Sequence, residues 1–407
     1  MNGSTEPWAS PGGGQFPSES EVGGPLRGLR LARGWRTLLP GPAAITGSRA
    51  DRWLLAVTII LVGLGIVMIY SASAIRAQER FGDPAFFLKR QVLWAGLGLL
   101  AMVWAASWDL KRFQRVTPVL FLVSLLLLLL VLVPGVGIKI NGARRWLRFF
   151  GLSFQPAELA KLAVVLFLAS YFARRQDRLD SFLDGFLPPL LMTGLVTGLI
   201  IAQPNFGTAT VLLITAAMMF YVGRARISHS LGTAAVAGPC LFLMMWMSSH
   251  GHARLMALWN PSQVSARATY QLDQSFYALG PGGWLGLGLG NSMQKLFFLP
   301  EPHNDFIFAI VGEELGFVGA VAVVGLFAVF LWRGTRMAVR ATDPYAGYLA
   351  MGVTSLIVGQ AVLNMAVVSG LLPTTGVPLP FLSFGGSSLV ITLFAVGVLL
   401  NVSRRAE

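Results

Sequence analysis

The chain has 407 residues, of which 55% are hydrophobic and 12% charged, with a mean hydropathy of +0.66. Soluble domains carry roughly 25% charged residues, so a soluble globular protein is excluded and a polytopic membrane protein is indicated. The net charge of +13 would suit a nucleic-acid binder, but the Lys and Arg fall mostly in short connections between apolar runs, as the positive-inside rule places them, and a nucleic-acid partner is rejected.

Residues 1–50 are rich in Gly, Pro and Ser and lack a continuous apolar run, so they read as a disordered cytoplasmic tail rather than a signal peptide. Residues 51–405 read as a transmembrane domain. Apolar runs near the roughly 20 residues needed to cross a bilayer predict an all-α bundle of about ten spans. They lie at Trp53–Tyr70, Val92–Trp108, Val116–Val133, Pro156–Phe172, Phe186–Ile201, Thr208–Val222, Leu231–Met247, Phe306–Trp332, Tyr345–Leu371 and Leu389–Val402. Arg27, Arg30, Arg33, Arg36, Arg49 and Arg52 precede the first span and place the N-terminus in the cytoplasm. By the span count Lys111, Arg112, Arg115, Arg174, Arg175, Arg178, Arg224, Arg226, Arg333, Arg336, Arg340, Arg404 and Arg405 share that side, so both termini are cytoplasmic. Cys240 follows Pro239 inside an apolar run and reads as a buried structural thiol.

Two extracytoplasmic segments break the pattern. VGIKINGARRWLRFFGLSFQPAELAK, between spans three and four, carries Lys139, Arg144, Arg145 and Arg148 where orientation rules disfavour positive charge. One reading is an interfacial amphipathic segment with its arginines on lipid phosphates. The other is an anion site, because guanidinium forks match phosphate oxygens bidentately and Arg144 and Arg145 stand beside an apolar wall. Glu158 and Lys161, three residues apart on one helix face, form either a structural ion pair or part of that site.

The second segment, residues 248–304 between spans seven and eight, is too long for an ordinary connection and too rich in aromatics and leucines for a flexible linker. It reads as a loop folded onto the outer mouth. Gly286, Gly288 and Gly290 lack the preceding strand of a nucleotide fingerprint and read as turn glycines that bring backbone close to a surface. Beyond it, LPEPHNDFIFAIVGEELG places His303 and Asp305 at the outer end of span eight and Glu313 and Glu314 about two turns inside. At a helix N-terminus facing a water-filled cavity Asp305 can remain ionised. Neighbouring positions are about 100° apart on a helix, so one of Glu313 and Glu314 is expected to face inward to a polar partner, and neither to be catalytic. His250, His252 and His303 show no metal-ligand spacing.

GIVMIYSASA, FFLKRQVLWAG, GARRWLRFFGLSFQPAELAKL, QPNFGTATVLL, GLGLGNSMQKLFFLPEPHNDFIFAIVGEELGFVG and NMAVVSGLLPTTGVPLPFLSFGGSS stand in the order and spacing that resemble the SEDS family (shape, elongation, division and sporulation). The likeness covers about Asp51 to Arg405, and GLGNSMQKLFFLPE and the long N-terminal tail are more similar to the cell-division branch, FtsW, than to the elongation branch, RodA. The resemblance implies a ten-span helical bundle and a peptidoglycan glycosyltransferase of the bacterial cytoplasmic membrane, acting at the division septum. Its implied substrate is lipid II, the undecaprenyl-pyrophosphate-linked disaccharide pentapeptide.

The resemblance also carries residue roles. The family's catalytic carboxylate falls on Asp305, a general base for an inverting transfer that makes β-1,4 glycan strands. Arg144, Arg145, Lys139 and Lys295 are candidates to stabilise the pyrophosphate leaving group. His303 either orients the base or is simply solvated, and Ser383 and Ser387 in LSFGGSS line the mouth, where Gly385 and Gly386 serve a backbone anion site or a tight turn. Three positions depart from the family. Asn304 replaces a small hydroxyl residue, Phe384 replaces a common Tyr, and Asn205 stands for a common Asp, which leaves Arg90 a hydrogen bond there in place of an ion pair. No cofactor follows from the residues with certainty, and a divalent cation such as magnesium is compatible with a pyrophosphate. Implied partners are a class B penicillin-binding transpeptidase and other divisome proteins. A lipid II flippase and a non-catalytic divisome scaffold are the rival classes.

Overall fold

The computed structural model describes residues 50–140, 143–149, 152–259, 266–296 and 298–405, so the expected tail lies, apart from its last residue, outside the described residues. Among the described residues nine helices are long and apolar enough to cross a membrane, and a shorter apolar one adds to them. They are α1 (Arg52–Phe81), α2 (Phe86–Ser107), α3 (Leu110–Leu132), α4 (Pro156–Arg174), α5 (Leu187–Ala202, which a π-helical turn extends back to Phe182), α6 (Phe206–Val222, the shorter), α7 (Ile227–Met247), α10 (Ile307–Arg340), α11 (Pro344–Val368) and α12 (Gly386–Ser403). The expected all-α polytopic bundle is the fold, and each expected span has its helix. α1 overruns its apolar run to Phe81, because the polar residues after Tyr70 are good helix formers and nothing stops the helix before Gly82, whose N–H bonds the Gln78 carbonyl at 2.9 Å.

Burial sorts the helices into a centre and a rim. α4 and α11 have 78% of their spanning windows buried, whereas α7 has 0%. Cys240 therefore corrects the sequence reading: it sits on α7 with its thiol exposed rather than inside the bundle. At one end of the bundle Asp51 ties three helices together. Its carboxylate accepts the Leu54 N–H of α1 at 2.9 Å and the Arg333 Nε–H of α10 at 2.8 Å, while its own N–H bonds Ser403 Oγ of α12 at 3.1 Å.

The opposite end carries the two long segments. Residues 138–154 depart from the all-α expectation and form three short antiparallel strands, β1 (Ile138–Ile140), β2 (Ala143–Phe149) and β3 (Leu152–Phe154), in the order β1-β2-β3. The register steps from Lys139 opposite Arg144 to Ile138 opposite Trp146, which leaves Arg145 on a β-bulge with no cross-strand partner. The segment 248–304 contributes two helices that the sequence reading left as loop, α8 (Ser249–Trp259) and α9 (Ala266–Leu279). α9 packs on α10 and α11, and Ser275 donates to the Val368 carbonyl at 3.1 Å.

α10 is broken near that end. Gly316 has φ 70° and ψ −166°, outside the helical region and open only to glycine. The glycine-rich loop fills the break: Leu287 and Gly288 N–H groups bond the Glu313 and Glu314 carbonyls, both at 3.0 Å, and Phe317 and Val318 donate to the Gly283 and Trp284 carbonyls at 2.8 and 3.1 Å. Backbone approach is so close that a Cβ on Gly286 would lie 2.2 Å from the Glu314 carbonyl oxygen. The turn-glycine reading is thus realised, and the surface approached is a split helix.

Gly286→Ala and Gly316→Ala are expected to lower the thermal midpoint in detergent by several degrees or more. Each forces Cβ into a left-handed backbone, worth about 1–2 kcal/mol, besides the clash. A midpoint unchanged in both variants, read by tryptophan fluorescence, would contradict the pairing.

Candidate functional site

The site is built where β2, α8, the start of α10 and the loop after α11 meet. Asp305 precedes α10, and its backbone carbonyl accepts from Asn364 Nδ2 of α11 at 2.8 Å. Its carboxylate lies against Gly376, since a Cβ built there would come within 3.3 Å of Asp305 Oδ2. Protein covers much of the residue, and part of its surface stays open.

Two guanidinium groups act on it. The bulge aims Arg145 inward, where Nε–H donates to the Gln203 carbonyl at 3.0 Å and a terminal nitrogen donates to the Pro204 carbonyl. Arg254 of α8 is the second, and sequence reasoning missed it because its significance comes only from the fold of α8. Burial pushes the Asp305 carboxyl up to about 6; Arg254 and Arg145 oppose the rise and Glu301 adds to it. Burial also lowers both arginines, whose charges repel each other and are attracted by Asp305. One carboxylate beside two partly desolvated cations is a place where an anion can be held next to a base of near-neutral pKa.

The remaining expected site residues divide by position. Arg144 and Arg145 do not form one clamp: Arg144 stands opposite Lys139 on the hairpin while the bulge re-aims Arg145. Lys295 is not a free cation. Its Nζ is 3.0 Å from Glu314 Oε1, and Ser71 Oγ donates to the same carboxylate at 2.6 Å. Glu313 accepts from the Met293 N–H at 2.7 Å and from Ser292 Oγ. Both glutamates are buried and both hold the glycine-rich segment, where one had been expected to point inward; the helix turns them apart and the loop wraps around both.

Glu158 and Lys161 form a buried ion pair at 2.9 Å. Lys161 also donates to Gln360 Oε1 at 2.6 Å, and Glu158 accepts from Ser388 Oγ at 2.9 Å. Ser383 Oγ accepts the Leu379 N–H at 2.8 Å and fastens the loop, while Ser387 Oγ of α12 accepts the Gln155 N–H at 3.3 Å at the start of α4, so both serines are buried rather than open onto the mouth. His303 is buried, its pKa pushed down to about 4 by burial and by Arg76, and its ring sits 4.6 Å from Phe87 and 5.8 Å from Phe384. Its hydrogen bond runs through the backbone, accepting from the Phe384 N–H at 2.8 Å. The expected Arg90 to Asn205 contact does not form: Arg90 is exposed with its guanidinium 4.4 Å above the Phe86 ring, and Asn205 caps α6 by accepting from the Thr208 N–H at 3.4 Å. Among the described residues no three His, Cys, Asp or Glu converge as metal ligands would.

Comparison with known proteins places these features in context. The family model described as "Cell cycle protein", FtsW/RodA/SpoVE, matches residues 52–407. The chain is 44% identical to stage V sporulation protein E of Bacillus subtilis, over 87% of this chain and 97% of that one. It is 42% identical to a probable peptidoglycan glycosyltransferase FtsW of Trichlorobacter lovleyi, over 87% of this chain and 93% of that one. A solved structure described as "Structural coordination of polymerization and crosslinking by a peptidoglycan synthase complex" superposes with a TM-score of 0.72 at 30% identity, covering 87% of this chain and 98% of the other.

Asp305 is expected to titrate near pH 6, as a carboxylate above it and a neutral acid below, read as a carboxyl band in infrared difference spectra that Asp305→Asn removes. Removing a cation that favours the anion raises a pKa, so Arg254→Gln should move that midpoint upward. A midpoint near the ordinary carboxylate value, or unmoved in Arg254→Gln, would contradict the electrostatic arrangement.

Proposed function

The chain belongs to the FtsW/RodA/SpoVE family of cell cycle proteins, the SEDS family, and from that premise we propose that it is a peptidoglycan glycosyltransferase polymerising lipid II at the division septum. The observation that carries the mechanism is the Asp305 carboxylate under the influence of both Arg254 and Arg145. Lipid II presents its sugar through an α-linked pyrophosphate and the glycan is β-1,4 linked, so one displacement with inversion suffices. It needs one base to take the proton of the incoming 4-hydroxyl. Asp305 is that base, and with a pKa near 6 it is mostly ionised at neutral pH while remaining a usable proton acceptor.

The departing undecaprenyl pyrophosphate gathers negative charge as the bond breaks, so cations serve it better than a general acid. Arg145 and Arg254 are placed for this role, with Lys139 and Arg144 offering further contacts on the hairpin. Lys295 and the Glu158–Lys161 pair act indirectly, by holding segments in place. The two guanidiniums beside Asp305 repel a cation, so any magnesium the reaction uses would arrive with the substrate pyrophosphate.

The reading sets the Asp305 end of the bundle on the extracytoplasmic face and both termini in the cytoplasm. It also takes a class B penicillin-binding transpeptidase and other divisome proteins as partners. The solved complex that couples polymerization and crosslinking supports the first of these. A flippase or a scaffold has no need of a base beside an anion site.

With purified protein, its transpeptidase and lipid II, Asp305→Asn is expected to lose glycan synthesis by about 10²- to 10⁴-fold while folding and still binding its partner. Normal polymer yield in that variant would remove Asp305 as the base, and none in the wild type would remove the polymerase reading. Orientation is checked separately: Met293→Cys on a Cys240→Ala background should react with an impermeant maleimide in intact cells, and reaction only after permeabilisation would invert the topology.

A further inference from the structure

The segment between α11 and α12, residues 369–385, does not stay at the surface. Pro378 is hydrogen-bonded to Gln360, eight residues before the end of α11, and at 1.5 Å per residue this carries the loop about 12 Å down along the helix. Irregular backbone at such depth is tolerated only where protein satisfies its polar groups. Here two amides one helical turn apart do so. Asn364 Nδ2 donates to the Val377 carbonyl at 2.7 Å, and Gln360 Nε2 donates to the Pro378 carbonyl at 2.9 Å. Both side chains are buried, at 1% and 3% exposure.

Each amide has a second partner, and the two partners differ in kind. Asn364 Nδ2 also donates to the Asp305 carbonyl at 2.8 Å, so one amide joins the residue at the site to the loop beside it. Gln360 Oε1 accepts from Lys161 Nζ at 2.6 Å, and Lys161 is held by Glu158 at 2.9 Å. The loop also carries a strained residue, Phe381 at φ 67°, whose carbonyl lies where any Cβ on Gly65 of α1 would fall. Such backbone persists only when its surroundings fix it.

We propose that Asn364 and Gln360 form a two-rung amide ladder that positions Asp305 against Gly376, with the Glu158–Lys161 pair of α4 setting the lower rung. None of these four residues touches the reacting atoms; they are positioning residues, and the proposal rests on Asp305 being the base. Satisfying buried carbonyls alone would require donors, but not a donor shared with Asp305. The sharing is what transmits the loop's position to the carboxylate, because moving Val377 breaks the bond geometry that also fixes residue 305.

The test uses the full-length protein with its transpeptidase in proteoliposomes and two near-isosteric variants, Asn364→Leu and Gln360→Met. Both should accelerate hydrogen exchange in the loop 373–384, and Asn364→Leu also in 301–306. Misplacement of a catalytic group by about 1 Å costs on the order of 10²-fold, so Asn364→Leu should lower kcat by about that factor and Gln360→Met by less, with KM for lipid II unchanged within twofold. The acid limb of the pH profile should move in Asn364→Leu, as Asp305 shifts relative to its arginines. A loss proportional to folded protein, or faster exchange with normal kcat, would reduce the ladder to a loop anchor. Unchanged exchange in both would overturn it outright. If Asn364→Leu fails to fold, Gln360→Met, remote from the site, decides alone. Exchange reads the ladder whatever the chemistry, so an active Asp305→Asn variant would refute the base without touching the exchange result.

Discussion

Inside a bilayer no water replaces a missing hydrogen bond, and each unsatisfied backbone group costs several kcal/mol. That constraint governs the end of the bundle where the chain stops being regular helix. α10 is allowed to break at Gly316 because loop residues 283–288 supply donors and acceptors for the broken turn. The 369–385 loop is allowed to descend because Gln360, Asn364 and Ser383 meet its backbone. The two irregular segments are what bring Asp305, Gly376 and the mouth of the bundle together, so the site exists by virtue of backbone satisfaction achieved elsewhere.

Charge follows a parallel logic. Glu158, Glu314 and Asp51 each have a cation in contact, and Glu313 is enclosed by hydroxyl and backbone donors. Asp305 differs. Among the described residues no cation forms a close ion pair with its carboxylate, and Arg145 and Arg254 influence it without locking it. A buried ion pair would fix the anion too firmly for proton transfer, whereas complete isolation would keep it protonated. The observed balance leaves it near the range in which a general base works.

Much of this was legible in the sequence, for identifiable reasons. Hydropathy located every span, because a membrane demands long apolar runs whatever the packing, and HNDFIFA located Asp305 through family likeness. Three things were hidden. Arg254 sat in a segment of ordinary composition, and only the fold of α8 brings it to the carboxylate. Arg144 and Arg145, adjacent in sequence, were separated by a bulge, a register fact that no periodicity carries. Cys240 reads as buried because apolar neighbours signal lipid and protein interior alike, whereas none of α7 is buried within the bundle. Lys295 looked available until its partner, nineteen positions on, was brought to it by the loop.

The Asp51 junction has a consequence for assembly. Its partners, Arg333 and Ser403, lie 282 and 352 positions further along the chain, so the contact that closes the opposite end of the bundle is among the last to become available as spans emerge during synthesis. Until α12 enters the membrane, the first helix carries an acidic cap without its second and third anchors. A contact made by α1 to α10 and α12 thus joins elements that are far apart in synthesis, and its full set of hydrogen bonds forms only after α12 is in place.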